Sequence, residues 1–291
     1  MATDKNAQLG MNYLDMQAYV GITKHNGGFE ATNELLSLCH IEDAREVLNV
    51  GCGIGVASAY IARKYACHVV GVDISEKMIE WSRRRAREER VEDKVEFQIA
   101  NVLELPFEAD RFDVVICESV LGFVEDKRRA IRECVRVTKL GGYVGLNETF
   151  WVKELSPELA ARIKGAVGAF IPTVELWRAL WEESGLLDRA VSIRQIDPRK
   201  EIKGRLQWVG WRWALRGFGR CCACISRILQ PGSPSRSSLT RHRSCCSRWD
   251  MGYSPAGSEG GNAAERAGRP AIVSPISKRP RTDRVHPRVV R

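Results

Sequence analysis

The feature that most constrains this chain is the run VLNVGCGIG at residues 47–55, an apolar stretch passing into glycines at every second position, Gly51, Gly53 and Gly55. About one β-α-β unit later comes VVGVDIS, residues 69–75, with the lone aspartate Asp73. A glycine-rich turn between a strand and a helix lets a ligand approach the backbone closely, because no Cβ intervenes. In a doubly wound sheet that turn lies at the carboxyl edge of the strands, where ligands bind. Asp73, at the end of a second strand, is placed to accept hydrogen bonds from two ribose hydroxyls. The spacing narrows the ligand further. The dinucleotide fingerprint requires a third glycine at position 56, which is Val56, and no GK[ST] marks a triphosphate site.

The surrounding pattern is α/β. Short apolar runs alternate with amphipathic stretches over residues 46–147, as in a mostly parallel, doubly wound sheet flanked by helices. EVLNV (46–50), HVVGVD (68–73), KVEFQIA (94–100), RFDVVIC (111–117) and YVGLNE (143–148) read as five strands. Helices are predicted at 56–65, at 77–89 behind an N-cap at Ser75, and at 126–137, the last stopped by Gly141 and Gly142. Further helices are expected at 157–169 and 174–185, and VSIRQI (191–196) as a sixth strand. Residues 13–39 read as largely helical, interrupted at His25-Asn26-Gly27-Gly28.

The ordered set of the glycine turn, Asp73, FDVVICES and RVTKLGGYV resembles the class I S-adenosylmethionine-dependent methyltransferases, over roughly residues 12–200. The resemblance implies a Rossmann-like seven-stranded sheet with an antiparallel seventh strand, and S-adenosyl-L-methionine as cofactor. It implies that Gly51, Gly53 and Gly55 line the methionine portion, with Cys52 in the same bend as a small packing residue. Asp73 would hold the ribose and Ile74 would pack on the adenine. Asn101 with Val102 stands where the family often has an acidic residue near the adenine amino group. Glu118 follows strand four, where residues face cofactor and substrate, and Asn49 replaces an acidic residue common in relatives. The stretch YVGITKHNGGFEATNELL (19–36) looks like the lid of small-molecule methyltransferases, with Tyr19 and His25 the candidates for closing on cofactor or substrate. Glu148, ending strand five, is a third catalytic candidate.

The formal charge of +9 is unevenly placed. Residues 1–219 hold 31 Lys and Arg against 32 Asp and Glu, whereas residues 220–291 hold 14 against 4. Arg, Ser, Pro and Gly make up 37 of those last 72 residues, too little apolar surface to offset ordering entropy, so a disordered tail is expected. A tail that binds RNA or anionic lipid, a zinc site at Cys221, Cys222, Cys224, Cys245 and Cys246, and an out-of-frame segment are the competing readings, the last favoured. No convincing seventh strand follows residue 200, and the Trp-rich stretch 204–219 reads as a basic helix, either capping the active site or lying on a membrane surface.

The expected organisation is a helical lid (1–40), a cofactor-binding domain (41–200), a Trp-rich helix (201–219) and the tail (220–291). With no secretory leader and no run of roughly 20 apolar residues, a cytoplasmic location is expected. The neutral core and the absence of an NPPY-type tetrapeptide after strand four (CESV, 117–120) count against nucleobase methylation, and the lid-like stretch 19–36 implies a small-molecule methyl acceptor. Two alternatives stay open: an RNA or protein methyltransferase anchored by the tail, and an inactive cofactor-binding relative.

Overall fold

The computed structural model describes residues 13–23, 25–151, 154–184, 186, 192–193 and 271–274. Two helices come first, α1 (Tyr13–Val20) and α2 (Gly28–Leu38). The alternating units follow as β1 (Glu46–Val50), α3 (Val56–Tyr65), β2 (His68–Asp73), α4 (Glu76–Glu89) and β3 (Val95–Ile99). Next come β4 (Phe112–Glu118), α5 (Lys127–Val137), β5 (Thr138–Thr149), α6 (Pro157–Val167) and α7 (Val174–Glu183). The last two strands are β6 (Ser192–Ile193) and β7 (Ala271–Ser274).

The sheet runs in the order β3-β2-β1-β4-β5-β7-β6. β1 to β5 pair in parallel, and β7 lies antiparallel to both β5 and β6. Strands covered on both faces read as continuous apolar runs, and β1, β2 and β4 are buried along almost their whole length. One face packs on α2, α3 and α4 through Leu35, Ile61 and Ile79. The other packs on α5 and α7 through Ile131, Cys134 and Trp177. Ser75 caps α4 as expected, its Oγ accepting the Met78 N–H at 3.4 Å.

Three expectations are corrected. A seventh strand exists: residues 271–274 (AIVS) fill the place beside β5, inside a segment expected to be wholly disordered. Four residues rich in β-branched side chains suffice for an inserted strand, too short to stand out against an Arg-, Ser- and Pro-rich background. Gly141 and Gly142 do not stop α5, which ends at Val137 with an extended Thr138. They lie within β5, where the pairing with β4 shifts between Phe112–Thr138 and Val114–Tyr143. A Cβ on Gly142 would come within 2.6 Å of the Asp113 carbonyl oxygen, so the pair serves that irregularity. The sixth strand covers only Ser192–Ile193 of the expected 191–196. The Trp-rich stretch 201–219 and the tail apart from 271–274 lie outside the described residues.

Candidate active site

The strand order reverses at the junction of β1 and β4, and a crevice opens outside their carboxyl ends. The cavity there is lined by Thr23, His25, Asn49, Gly51, Cys52, Val56, Ala57 and Glu118. Its floor is the glycine bend between β1 and α3. Gly51 has φ +67°, and a Cβ there would lie 2.1 Å from Cγ2 of Val120. The bend is held from two sides. The Cys52 N–H donates to the Val72 carbonyl at 2.9 Å, and the buried Arg85 donates through Nε to the Ile54 carbonyl at 3.0 Å.

Asp73 sits against the bend. Its Oδ2 accepts the Gly53 N–H at 2.9 Å and its Oδ1 accepts the Ser75 N–H at 2.9 Å. Burial pushes the carboxyl up from its ordinary value, against the backbone N–H groups of Ser75, Gly53 and Ile74 that favour its charged form. Ile74 beside it is 67 % exposed, an unusual state for a large apolar residue next to a half-buried carboxylate. Exposed apolar surface at a ligand edge fits the flat face of a nucleobase.

A buried polar network closes the opposite wall. Glu118 Oε2 lies 2.8 Å from His25 Nε2 and accepts from Thr32 Oγ1 at 3.0 Å and Asn147 Nδ2 at 3.2 Å. Burial alone would raise this carboxyl, but the neighbouring His25 and the hydrogen bonds from His25, Asn147 and Thr32 hold it below its ordinary value. Asn26 donates through its backbone N–H and its Nδ2 to Ser119 Oγ, at 3.2 and 3.0 Å. Asn147 Nδ2 reaches the Asn26 carbonyl at 3.0 Å. These bonds seat residues 25–26 over the ends of β4 and β5. At the other end of the same segment, the Trp81 indole N–H donates to the Ala18 carbonyl at 2.9 Å, fixing α1 on α4.

The expected site residues are thus partly assembled. Gly51, Cys52, His25 and Glu118 meet at the cavity, with Gly53, Gly55 and Asp73 in the adjoining bend. The Cys52 thiol is buried, which pushes it well above its ordinary value and leaves it protonated, a packing residue. Asn101 is exposed and its Oδ1 accepts the Leu103 N–H at 3.0 Å, forming a local turn, while Val102 is buried in the core. Tyr19 lies on the outer side of α1, 49 % exposed. Glu148 is buried away from the cavity lining, its Oε1 accepting the N–H groups of Val120 and Leu121, both at 2.8 Å. Sequence reasoning missed Thr32, Asn147, Ser119 and Thr23. Their only signal was polarity at positions that an α-helix, a strand end and a turn would otherwise leave unremarked.

The described residues fit a sulfonium nucleoside. Asp73 stands against the bend with a carboxylate that could accept from a sugar, Ile74 offers an apolar face, and the fully buried Asn147 Oδ1 meets no donor among the described residues. Residues 48–146 match the model of the methyltransferase domain family. An uncharacterized protein of Haemophilus influenzae is 30 % identical over 183 residues, which cover 61 % of this chain and 72 % of that protein. Methyltransferase GfsG of Streptomyces halstedii is 29 % identical over 163 residues, 55 % of this chain and 59 % of GfsG, so the chain spans under two thirds of that relative. The fold is also that of phosphoethanolamine N-methyltransferase 2 of Haemonchus contortus, solved with phosphomonomethylethanolamine and S-adenosylhomocysteine. The TM-score is 0.59 at 17 % identity, covering 92 % of this chain and 58 % of that one. The chain belongs to the class I S-adenosylmethionine-dependent methyltransferases.

Proposed function

We propose that this chain transfers a methyl group to a small-molecule acceptor by in-line displacement. The supporting observation is the covered crevice: Thr23 and His25 lie across the glycine bend, and the Asn26–Ser119 and His25–Glu118 contacts close it on the β4 side. A chamber roofed in this way suits a compact acceptor better than a polymer.

The bound cofactor supplies a methyl carbon already activated by its sulfonium charge. The chain's own residues then have three tasks. Gly51, Gly53 and Gly55 give the close approach, and Asp73 orients the sugar. Thr23, His25 and Asn26 exclude water and align the acceptor. A proton acceptor is required only for acceptors that hold a proton at neutral pH. Of Tyr19, His25 and Glu148, only His25 faces the cavity, and it is the residue we assign to closing on cofactor or acceptor. The relatives that match include phosphoethanolamine N-methyltransferase of Triticum aestivum, of which the chain covers only 32 %. A labelled-methyl screen over small amines, phenols and quinone precursors tests the reading. Transfer to RNA or protein substrates alone would overturn it.

A further inference from the structure

His25 lines the chamber, and its Nε2 meets two groups that can only accept. Glu118 Oε2 lies 2.8 Å away and Thr32 Oγ1 lies 3.1 Å away. Burial raises the Glu118 carboxyl, but His25 and the hydrogen bonds from His25, Asn147 and Thr32 outweigh it, so the group is ionised and has no proton to give. The one proton of the Thr32 hydroxyl is directed to Glu118, 3.0 Å from Oε2 and 3.2 Å from Oε1. The proton shared among the three side chains therefore sits on His25 Nε2. Neutral His25 then carries its lone pair on Nδ1, an atom screened from bulk solvent.

A wall that merely excludes water is served by an apolar side chain, because a buried ionic pair seldom outperforms hydrophobic residues of the same volume. An imidazole backed by a carboxylate is instead the arrangement of a proton acceptor, in which the second group fixes the tautomer and stabilises the imidazolium that forms. We propose that His25, oriented by Glu118 and Thr32, is the general base of the transfer, and that the acceptor presents a proton-bearing nucleophile, an aromatic hydroxyl or a protonated amine. The proposal rests on the methyltransferase reading of the site. Glu118 and Thr32 are positioning residues, each acting through the imidazole.

The acceptor's lone pair forms the bond to the methyl carbon as the carbon–sulfur bond breaks, the electron pair of that bond going to sulfur. The acceptor's proton passes to His25 Nδ1, before the attack for a protonated amine and with it for a hydroxyl. Sulfonium, acceptor and neutral imidazole thus become thioether, methylated acceptor and imidazolium, with the total charge unchanged. The Glu118 carboxylate then faces a full positive charge, which strengthens its bond to Nε2. An acceptor that attacks through a bare lone pair, such as a thioether, needs none of this.

The first test needs no acceptor: nitrogen NMR on the full chain labelled at histidine, alone and with S-adenosylhomocysteine. The His25 signals are assigned by their loss in His25→Gln or, should that variant not fold, by cross-peaks to the Thr32 methyl group. At about pH 8 the expected species is neutral imidazole with its proton on Nε2. A proton on Nδ1, or an imidazolium that persists at that pH, overturns the proposal. Glu118→Gln should leave less imidazolium at any given pH, a change that a purely spacing role for Glu118 does not produce. The second test follows labelled methyl from S-adenosylmethionine to 4-methylphenol, whose hydroxyl keeps its proton to about pH 10, and to methyl phenyl sulfide, a thioether of similar shape. In His25→Gln, kcat for 4-methylphenol should fall by about a hundredfold or more while KM moves less than about threefold. An unchanged kcat, or transfer confined to the thioether, overturns the proposal. Should neither probe be methylated, the tautomer decides. A full chain that binds no S-adenosylmethionine by calorimetry overturns the methyltransferase reading itself, a separate outcome.

Discussion

The Gly53 N–H donates to Asp73 Oδ2 across 2.9 Å, joining the bend after β1 to the end of β2. The carboxylate that would grip the sugar therefore also fixes the backbone on which the cofactor would lie. Asp73→Ala is expected to cost roughly 1–3 kcal/mol of cofactor binding, the range for losing a charged hydrogen-bond acceptor. Calorimetry with S-adenosylmethionine measures it. Asp73→Asn, which keeps one acceptor oxygen, should lose less.

Gly51 illustrates how tightly that bend is built. With φ +67° and Val120 Cγ2 at 2.1 Å from any added Cβ, Gly51→Ala meets both left-handed strain and a clash. The conformational part alone is about 1–2 kcal/mol. Thermal unfolding should show Gly51→Ala well below the unaltered protein, and Val120→Ala should restore only the steric part of the loss.

Glu148 gives a pH signature. Burial, opposed by the N–H groups of Leu121, Val120 and Gly122 and by the Lys127 charge, pushes its carboxyl up to about 7. Cys117 nearby is pushed well above its ordinary value by burial first, then by Cys134, Glu148 and Glu118. Between the ordinary carboxyl value and about 7, the folded protein holds a proton that the unfolded chain has released. Stability from this group is therefore complete at acid pH and lost as pH rises through about 7. In Glu148→Gln this group's slope should vanish, so the difference in Tm between about pH 4 and pH 8, read by calorimetric unfolding at the two values, shrinks.

Trp81 holds α1 in place through one indole hydrogen bond to the Ala18 carbonyl. Trp81→Phe keeps one aromatic ring but removes the indole donor and leaves part of its volume empty, costing about 1 kcal/mol for the hydrogen bond and more for the lost packing. The expected result is faster proteolytic cleavage near residues 20–23 with little change in the core, assayed by limited proteolysis and circular dichroism.

The sequence was most legible where one physical cause dominates. β1, α3 and β2 begin and end as predicted, because doubly buried strands are continuous apolar runs and the glycines punctuate them. Glycine was a poorer guide at Gly141 and Gly142, where the same residue type marks an irregular pairing inside β5 and not a helix end. The wall around Glu118 was hardest to foresee. His25, Thr32 and Asn147 lie 93, 86 and 29 residues from their partner, and no local periodicity encodes such contacts. Glu148 was a catalytic candidate from its place at the end of β5, yet the chain after β4 folds its backbone onto that carboxylate. Only the tertiary path of residues 119–121 could reveal this.

The late position of β7 bears on how the protein is made. On the ribosome, all five parallel strands and the Ser192–Ile193 segment emerge well before Ala271–Ser274. Among the described residues, nothing pairs with the outer rim of β5 until those four residues are synthesised, and β6 has no neighbour to dock against. The nascent chain thus passes through a stage with an adhesive border, when shielding by a chaperone matters most.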